Sequence, residues 1–385
     1  MMTYPTFTFD LPTKLMYGFK INDQLPKILG DLGIKHPMIV TDQGVRKKKL
    51  IDDFTNCLKD IGLPHEIFDS IEPNPKDYNV DHGVAEIIKY KCDGIITIGG
   101  GSPMDCAKAM AAVATVGGHA RDYAGKGRIQ QTVLPIIAVP TTAGTGSEVT
   151  FGAVITDSDR KFKFTIKGTS LAPKVALIDP GLTASMPPDL TAATGMDALT
   201  HAVEAYTAKN AHAISDAFAL SSIDLIWTNL PVAFRQGTNI EARTGMLIGS
   251  LMAGIAFSHS DVGAVHCIAE ALGGMYDIPH GVCNAVMLPT IMKYNLPFCK
   301  ERYARIATVM GLEWENPETG AQKAVQAVTQ MAVDVGLPQF SSFGINPKDF
   351  RVLAINSAEN GSNPSNARPM THKDYETILK ELHGS

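Results

Sequence analysis

The chain has no CxxC pair. Its six cysteines stand apart at positions 57, 92, 106, 267, 283 and 299. Scattered cysteines in a long chain form neither a disulfide framework nor a zinc ribbon, so they read as reduced thiols and point to the cytoplasm. The opening stretch MMTYPTFTFDLPTKLMYG has no basic leader followed by an apolar core, which argues against a secretory signal. No unbroken run of about 18 apolar residues occurs, so no membrane-spanning helix is expected. Charge of one sign is also missing. With 34 Lys+Arg against 39 Asp+Glu the formal net charge is −5, which leaves no basic field for nucleic acid or an anionic membrane. The one basic run, residues 46–49, falls in a helical pattern and reads as a solvated face. There is no internal repeat, no low-complexity linker, no GxGxxG and no HExxH.

The 385 residues, 45% hydrophobic and 19% charged, suit two ordinary globular domains. In the first half, β-rich runs at 37–42, 65–71, 94–98, 135–140 and 175–179 alternate with helical patterns at 22–32, 45–61, 77–91 and 104–114. That alternation predicts a mostly parallel sheet covered on both faces, a Rossmann-like α/β domain over residues 1–186. GAVITDS and KFKFTI after Thr150 predict an added hairpin. An alternating segment at 6–18 predicts an N-terminal edge strand that would pair with its copy in a neighbouring subunit, hence a homodimer or larger homo-oligomer. Beyond Met186-Pro187-Pro188 strands vanish. Helical spacing recurs at 189–207, 213–236, 240–258, 263–275, 281–295, 300–311 and 317–335, predicting an all-α domain over residues 187–385. The tail after Gly336 is mixed, with Asn-rich turns near 360–366.

Three features in the first half suit a nucleotide. The strand GIITI runs into Gly99-Gly100-Gly101-Ser102 and then a helix. Glycines let backbone amides approach phosphate, and a helix N-terminus adds free N–H groups and a favourable dipole; a plain tight turn is the alternative. A second loop, Pro140-Thr141-Thr142-Ala143-Gly144-Thr145-Gly146-Ser147, also follows a strand, and such strand ends are where open α/β sheets bind ligands. Asp42 ends an early strand, where an acid accepts hydrogen bonds from an adenosine ribose and disfavours a 2′-phosphate, pointing to NAD over NADP. An Asp there serves equally as a helix N-cap.

The second half carries a metal-ligating pattern. Asp197 and His201 share a helix face at i,i+4, which alone describes any surface ion pair. His266 in GAVHCIAEALGG and His280 in YDIPHG sit in apolar surroundings, where a buried imidazole needs partners and a shared ion supplies one. One carboxylate with three neutral imidazoles suits iron(II), zinc(II), manganese(II) or cobalt(II).

These strings, GGGSPMDCAKAMA at 99–111, PTTAGTGSEVT at 140–150, LTAATGMDALTHAVEAY at 190–206 and GAVHCIAEALGGMYDIPHGVCNAVMLP at 263–289, with EPNPKDYNV at 72–80, closely resemble the iron-containing (group III) alcohol dehydrogenases over essentially the whole chain. The resemblance implies a dehydroquinate-synthase-like two-domain fold and hydride transfer between NAD(H) and a small primary alcohol or aldehyde. It implies metal ligands Asp197, His201, His266 and His280, with iron first among the metals. Pyrophosphate contacts are implied from Gly99, Gly100, Gly101 and Ser102, and nucleotide contacts from Asp42, Asn74, Asp105, Thr141, Thr142, Thr145 and Lys163. For Lys163 the alternative, less favoured, is a solvent-facing hairpin position. The departure is Glu270. Related enzymes often carry a proton-relaying histidine there, one turn after the ligand, whereas glutamate has a lower reference pKa, about 4.3 against 6.5. Glu270 could still serve as a catalytic proton relay if burial raised its pKa, a rise the adjacent cation opposes; otherwise it would pair with a cationic group or position water, leaving the proton path and substrate preference open. Ethanol, butanol, lactaldehyde, the propanediols and acidic aldehydes are all candidate substrates. Rival readings are a glycerol-dehydrogenase-like polyol dehydrogenase on the same fold, a metallohydrolase and a non-catalytic nucleotide-binding protein. The hydrolase reading lacks a second carboxylate site and has no use for two Gly-rich loops.

Overall fold

In a computed structural model the structure describes residues 4–384; positions 1–3 and 385, which the reading above included in the two domains, lie outside the described residues. The first unit comprises residues 10–142 and 146–185. Its strands are β1 (Lys14–Tyr17), β2 (Pro37–Asp42), β3 (Glu66–Ile71), β4 (Gly94–Gly99), β5 (Gly125–Lys126), β6 (Ile136–Pro140), β7 (Gly152–Asp157), β8 (Phe162–Lys167) and β9 (Val175–Ile178). Its helices are α1 (Leu25–Leu32), α2 (Gln43–Lys47), α3 (Asp52–Asp60), α4 (Asp77–Tyr90) and α5 (Gly101–Val116).

Six strands form one parallel sheet in the order β1-β9-β6-β4-β2-β3. Alternate residues of the inner strands feed opposite cores, which is why these strands are apolar apart from single buried threonines such as Thr41 and Thr97. On β2 and β4, Ile39, Ile96 and Ile98 join α1 and α3 on one face, while Met38, Val40 and Ile95 join α4 and α5 on the other. The predicted hairpin is present, β7 pairing antiparallel with β8, and β5 extends it.

Two expectations change. The 45–61 helix is two helices, α2 and α3, because Lys49 takes a left-handed conformation (φ 57) between them. The N-terminal strand is only Lys14–Tyr17 and pairs parallel with β9 of its own chain. Pro5 and Pro12 cannot donate to a ladder, and the residues up to Phe9 belong to the other unit. There Phe7 stacks on His212 with ring centroids 3.8 Å apart, and Phe9 stacks on His259 at 4.1 Å.

That second unit, residues 4–9, 143–145 and 186–384, is helical: α6 (Pro188–Thr207), α7 (Ala213–Arg235), α8 (Ile240–Ser260), α9 (Ala264–Tyr276), α10 (His280–Asn295), α11 (Lys300–Val309), α12 (Pro317–Asp334), α13 (Phe350–Glu359) and α14 (His372–His383). The sequence reading left α13 and α14 as mixed tail. By length and mean hydropathy α7 and α8 are long and apolar enough to cross a membrane. Ser222, Asp224 and Ser250 interrupt them, so neither is an unbroken apolar run. Both pack on α6 and on each other, and Ser222 and Ser250 are buried there.

Candidate functional site

Helix α6 places Asp197, His201 and Glu204 on one face at helical spacing, and all three are buried. Helix α9 adds His266. It ends at Asp277 in a left-handed conformation (φ 54), and after Pro279 the next helix, α10, begins at His280. One ligating atom from each of Asp197, His201, His266 and His280 lies within 4.8 Å of all the others. The rings crowd together, with His201 and His266 centroids 4.6 Å apart and His266 and His280 5.4 Å apart.

The partners of these rings decide which nitrogens face inward. His201 Nδ1 is 3.2 Å from the Gly144 carbonyl, which can only accept, so Nδ1 carries the proton and Nε2 presents a lone pair. Burial pushes the His201 pKa down to about 4, against the pull of Asp197, so this ring is neutral near pH 7. His266 Nδ1 donates to Glu204 Oε2 at 2.6 Å, again leaving Nε2 as the donor atom. Burial lowers the basicity of His266, but the Glu204 hydrogen bond and charge, with Asp197, carry its pKa above the ordinary histidine value. Glu204 also accepts from the backbone N–H of Gly263 at 2.9 Å and Val265 at 2.7 Å, fixing the start of α9. A Cβ at Gly263 would stand 2.8 Å from Asn366 Oδ1 and 3.0 Å from Glu204 Oε1, so glycine is required for that approach. Three imidazole nitrogens and one carboxylate oxygen, with Asp197, His201 and His266 buried and the last two rings oriented by protein acceptors, fit a borderline divalent ion.

Glu270, one turn after His266, is half-buried and accepts from Asn360 Nδ2 at 2.6 Å. The Asn-rich turn that looked like mere punctuation thus holds Glu270 through Asn360. It also supports α9 through Asn366, whose Oδ1 accepts from the Ala264 N–H at 3.2 Å.

In the α/β unit, Gly99, Gly100, Gly101 and Ser102 lie where β4 turns into α5, and Thr141 follows the neighbouring β6. The Thr141 N–H donates to Gly99 O at 3.0 Å, so the two loops start side by side. A Cβ on Gly99 would come within 2.7 Å of Pro103, and one on Gly100 within 3.1 Å of Thr142 Oγ1. Helix α5 has no side chain capping its first N–H groups, which fits a phosphate. Asp42 also ends its strand on this edge, but its Oδ1 accepts from Val45 N at 2.9 Å as the N-cap of α2. Lys163 is buried, not solvent-facing, and donates to Asn74 Oδ1 at 2.7 Å. Asp105 does not face a ligand freely: Ser147 Oγ donates to one oxygen at 2.7 Å and Val154 N to the other at 3.0 Å. Thr145, with residues 143 and 144, belongs to the helical unit.

Three residues escaped the sequence reading. Glu204 continues the Asp197 and His201 face, and Asn284 lies one turn after His280; both spacings were visible. Lys108, fully buried on α5, donates to Ser147 Oγ at 2.8 Å, Thr150 Oγ1 at 2.9 Å and Gly152 O at 3.0 Å, pinning the second loop to the helix that follows the first. A buried lysine among Ala and Met leaves no periodic signal.

Residues 12–180 match the family described as iron-containing alcohol dehydrogenase, and residues 191–383 match the C-terminal part of the Fe-containing alcohol dehydrogenase family. The 1,3-propanediol dehydrogenase of Klebsiella pneumoniae is 41% identical, covering 99% of this chain and 100% of its own. The NAD-dependent methanol dehydrogenase of Bacillus methanolicus is 38% identical, covering 97% and 98%. A crystal structure of 1,3-propanediol oxidoreductase superposes with a TM-score of 0.95 at 41% identity, over 98% of this chain and 100% of that one. The chain therefore belongs to the iron-containing alcohol dehydrogenase family and is an oxidoreductase of alcohols and aldehydes.

Proposed function

We propose that one divalent ion, iron(II) ahead of zinc(II) or manganese(II), is held by Asp197, His201, His266 and His280, and that NAD rather than NADP is the hydride carrier. The observation that carries this reading is the convergence of four ligating atoms within 4.8 Å on three separate helices. The NAD-dependent name of the Bacillus methanolicus relative supports the cofactor. A bound ion supplies Lewis acidity toward the substrate oxygen, and the nicotinamide gives or takes the hydride. The chain's own part is placement. Glu204 and the Gly144 carbonyl keep the inward nitrogens of His266 and His201 unprotonated. Gly99 to Ser102 offer backbone N–H groups to the pyrophosphate, with Thr141 and Thr142 beside them, and the second carboxylate oxygen of Asp42 is left for the ribose. Asn74 and Lys163 hold each other for a nucleotide contact. Glu270, tied to Asn360, presents a carboxylate one turn from His266 and orders water or a substrate hydroxyl there.

Aldehyde reduction in the cytoplasm is the direction we favour, with the aldehydes of 1,3-propanediol and other C2–C4 alcohols as first substrates to try. The outer edge of β1 has no partner strand among the described residues, and Leu15, Tyr17 and Phe19 are exposed there, which supports a homodimer. Metal analysis of the purified protein, with an NADH-consumption screen over C2–C4 aldehydes, tests the proposal. Stoichiometric metal and turnover are expected, both lost in His280→Ala. Full turnover by a metal-free His280→Ala protein would sink the reading.

A further inference from the structure

Asn284 lies on α10 one turn beyond His280 and is completely buried. Its Nδ2 stands 2.6 Å from Asp197 Oδ1, 3.0 Å from His266 Nε2 and 3.1 Å from His280 Nε2. An ionised carboxylate only accepts, so the short contact to Asp197 fixes the amide with its nitrogen toward the ligand atoms. An NH2 group has two hydrogens, and three acceptors surround it. The other end of the amide, Oδ1, is buried with no hydrogen-bond partner. A buried amide ordinarily satisfies both ends. This one is satisfied at one end only, by the very atoms that make up the candidate ligand set.

Each imidazole Nε2 has a single lone pair, which cannot serve an ion and an N–H donor together. The geometry points to Asn284 as a two-way group of the metal centre, an inference that rests on the four-residue site proposed above. In protein stripped of metal, its NH2 donates to two of these three acceptors at a time, Asp197 and one imidazole, and so bridges α6, α9 and α10. In loaded protein, a half-turn about the Cβ–Cγ bond exchanges the two ends, and Oδ1 becomes a fifth donor. The change exchanges hydrogen bonds for a coordination bond, with no proton or electron moved. The resulting set of three nitrogens and two oxygens suits an ion that accepts more than four ligands, and disfavours a strictly tetrahedral one.

The test is cobalt(II) titration of metal-stripped protein, followed by visible absorption and by melting temperature. Asn284→Leu fills the same space without a donor. It is expected to bind cobalt about ten-fold more weakly or worse, with the stronger absorption of a four-coordinate ion. Asn284→Asp keeps an oxygen in either rotamer. It is expected to bind cobalt at least as tightly as the wild type, while its metal-free form melts lower because two carboxylates then face each other. Wild-type affinity and spectrum in Asn284→Leu would overturn the inference and leave the site reading standing. So would a metal-free Asn284→Asp that melts with the wild type. If the Leu variant does not fold, the Asp variant decides alone. Cobalt binding unchanged in His280→Ala would bring down the site reading and this inference with it.

Discussion

Glu204 Oε2 sits 2.6 Å from His266 Nδ1, and both side chains are buried. One carboxylate therefore orients an inward-facing imidazole and anchors two backbone N–H groups at the start of the helix that carries it. Glu204→Gln preserves the shape but removes the charge that favours the Nδ1–H tautomer. Metal affinity is expected to fall about 10- to 100-fold, with a smaller loss of stability. Competition against a chelator measures the first and thermal melting the second. Unchanged affinity would mean that Glu204 serves only to start α9.

Glu148 is the second buried carboxylate with a measurable consequence. It follows Ser147, the last residue of the second loop, and its Oε1 has no hydrogen-bond partner. Burial pushes its pKa up to about 7, although its own backbone N–H and the charge of Lys108 pull the other way. Burial likewise lowers Lys108 to about 8. A folded pKa above the unfolded value means that the folded chain binds the extra proton. The stabilising contribution of Glu148 is then fully present below about pH 4.5 and is lost as pH rises through about 7. Glu148→Gln removes that titration. Its melting temperature relative to the wild type should rise between pH 5 and pH 8, by an amount worth at most roughly 3 kcal/mol. A flat difference across that range would show that Glu148 is already paired in its ionised form.

Much of this was legible in the sequence because burial leaves a pattern. The apolar runs of β2, β4 and β6 announce a doubly covered sheet, and the Ala- and Leu-rich stretches after Pro188 announce a helical unit. Asp197, His201, His266 and His280 were legible as chemistry, since histidines in apolar surroundings need a reason to be there. What was hidden has a physical cause in each case. Lys49 breaks a helix by adopting φ 57, a conformation that composition does not forecast for lysine. Ser222 gives its hydroxyl to the Gly249 carbonyl of α8 and Ser250 is buried within α8, so polar residues break the apolar run of two helices that are apolar on average. Asn360, Asn363 and Asn366 read as turn formers. In the structure they hold Glu270, the Tyr375 hydroxyl and the first residues of α9.

Glu270 and Asn360 offer a test of substrate charge. A carboxylate one turn from His266, on the order of 6 Å along the helix, repels an anionic substrate held near that histidine by about 1 kcal/mol at the largely solvent-screened dielectric of about 50 that suits a half-exposed group. Glu270→Gln should keep the hydrogen bond to Asn360 and lower KM for a carboxylate- or sulfonate-bearing aldehyde roughly five-fold relative to an uncharged aldehyde of the same length. Steady-state kinetics on such a pair measures it. Equal shifts in both KM values would place Glu270 outside the substrate's reach.

Asp42 does two jobs that one pair of variants separates. Its Oδ1 caps α2 through Val45 N at 2.9 Å, a role that glycine fills with a loss of only a few tenths of a kcal/mol and alanine with about 1 kcal/mol. The proposed second job is to accept from the ribose of NAD and repel the 2′-phosphate of NADP, which neither replacement can do. Asp42→Gly and Asp42→Ala should therefore differ in melting temperature yet show the same rise in the NADP-to-NAD ratio of kcat/KM. If the ratio stays at the wild-type value in both, the residue is a helix cap alone. Cofactor choice would then lie with other residues of the nucleotide loops.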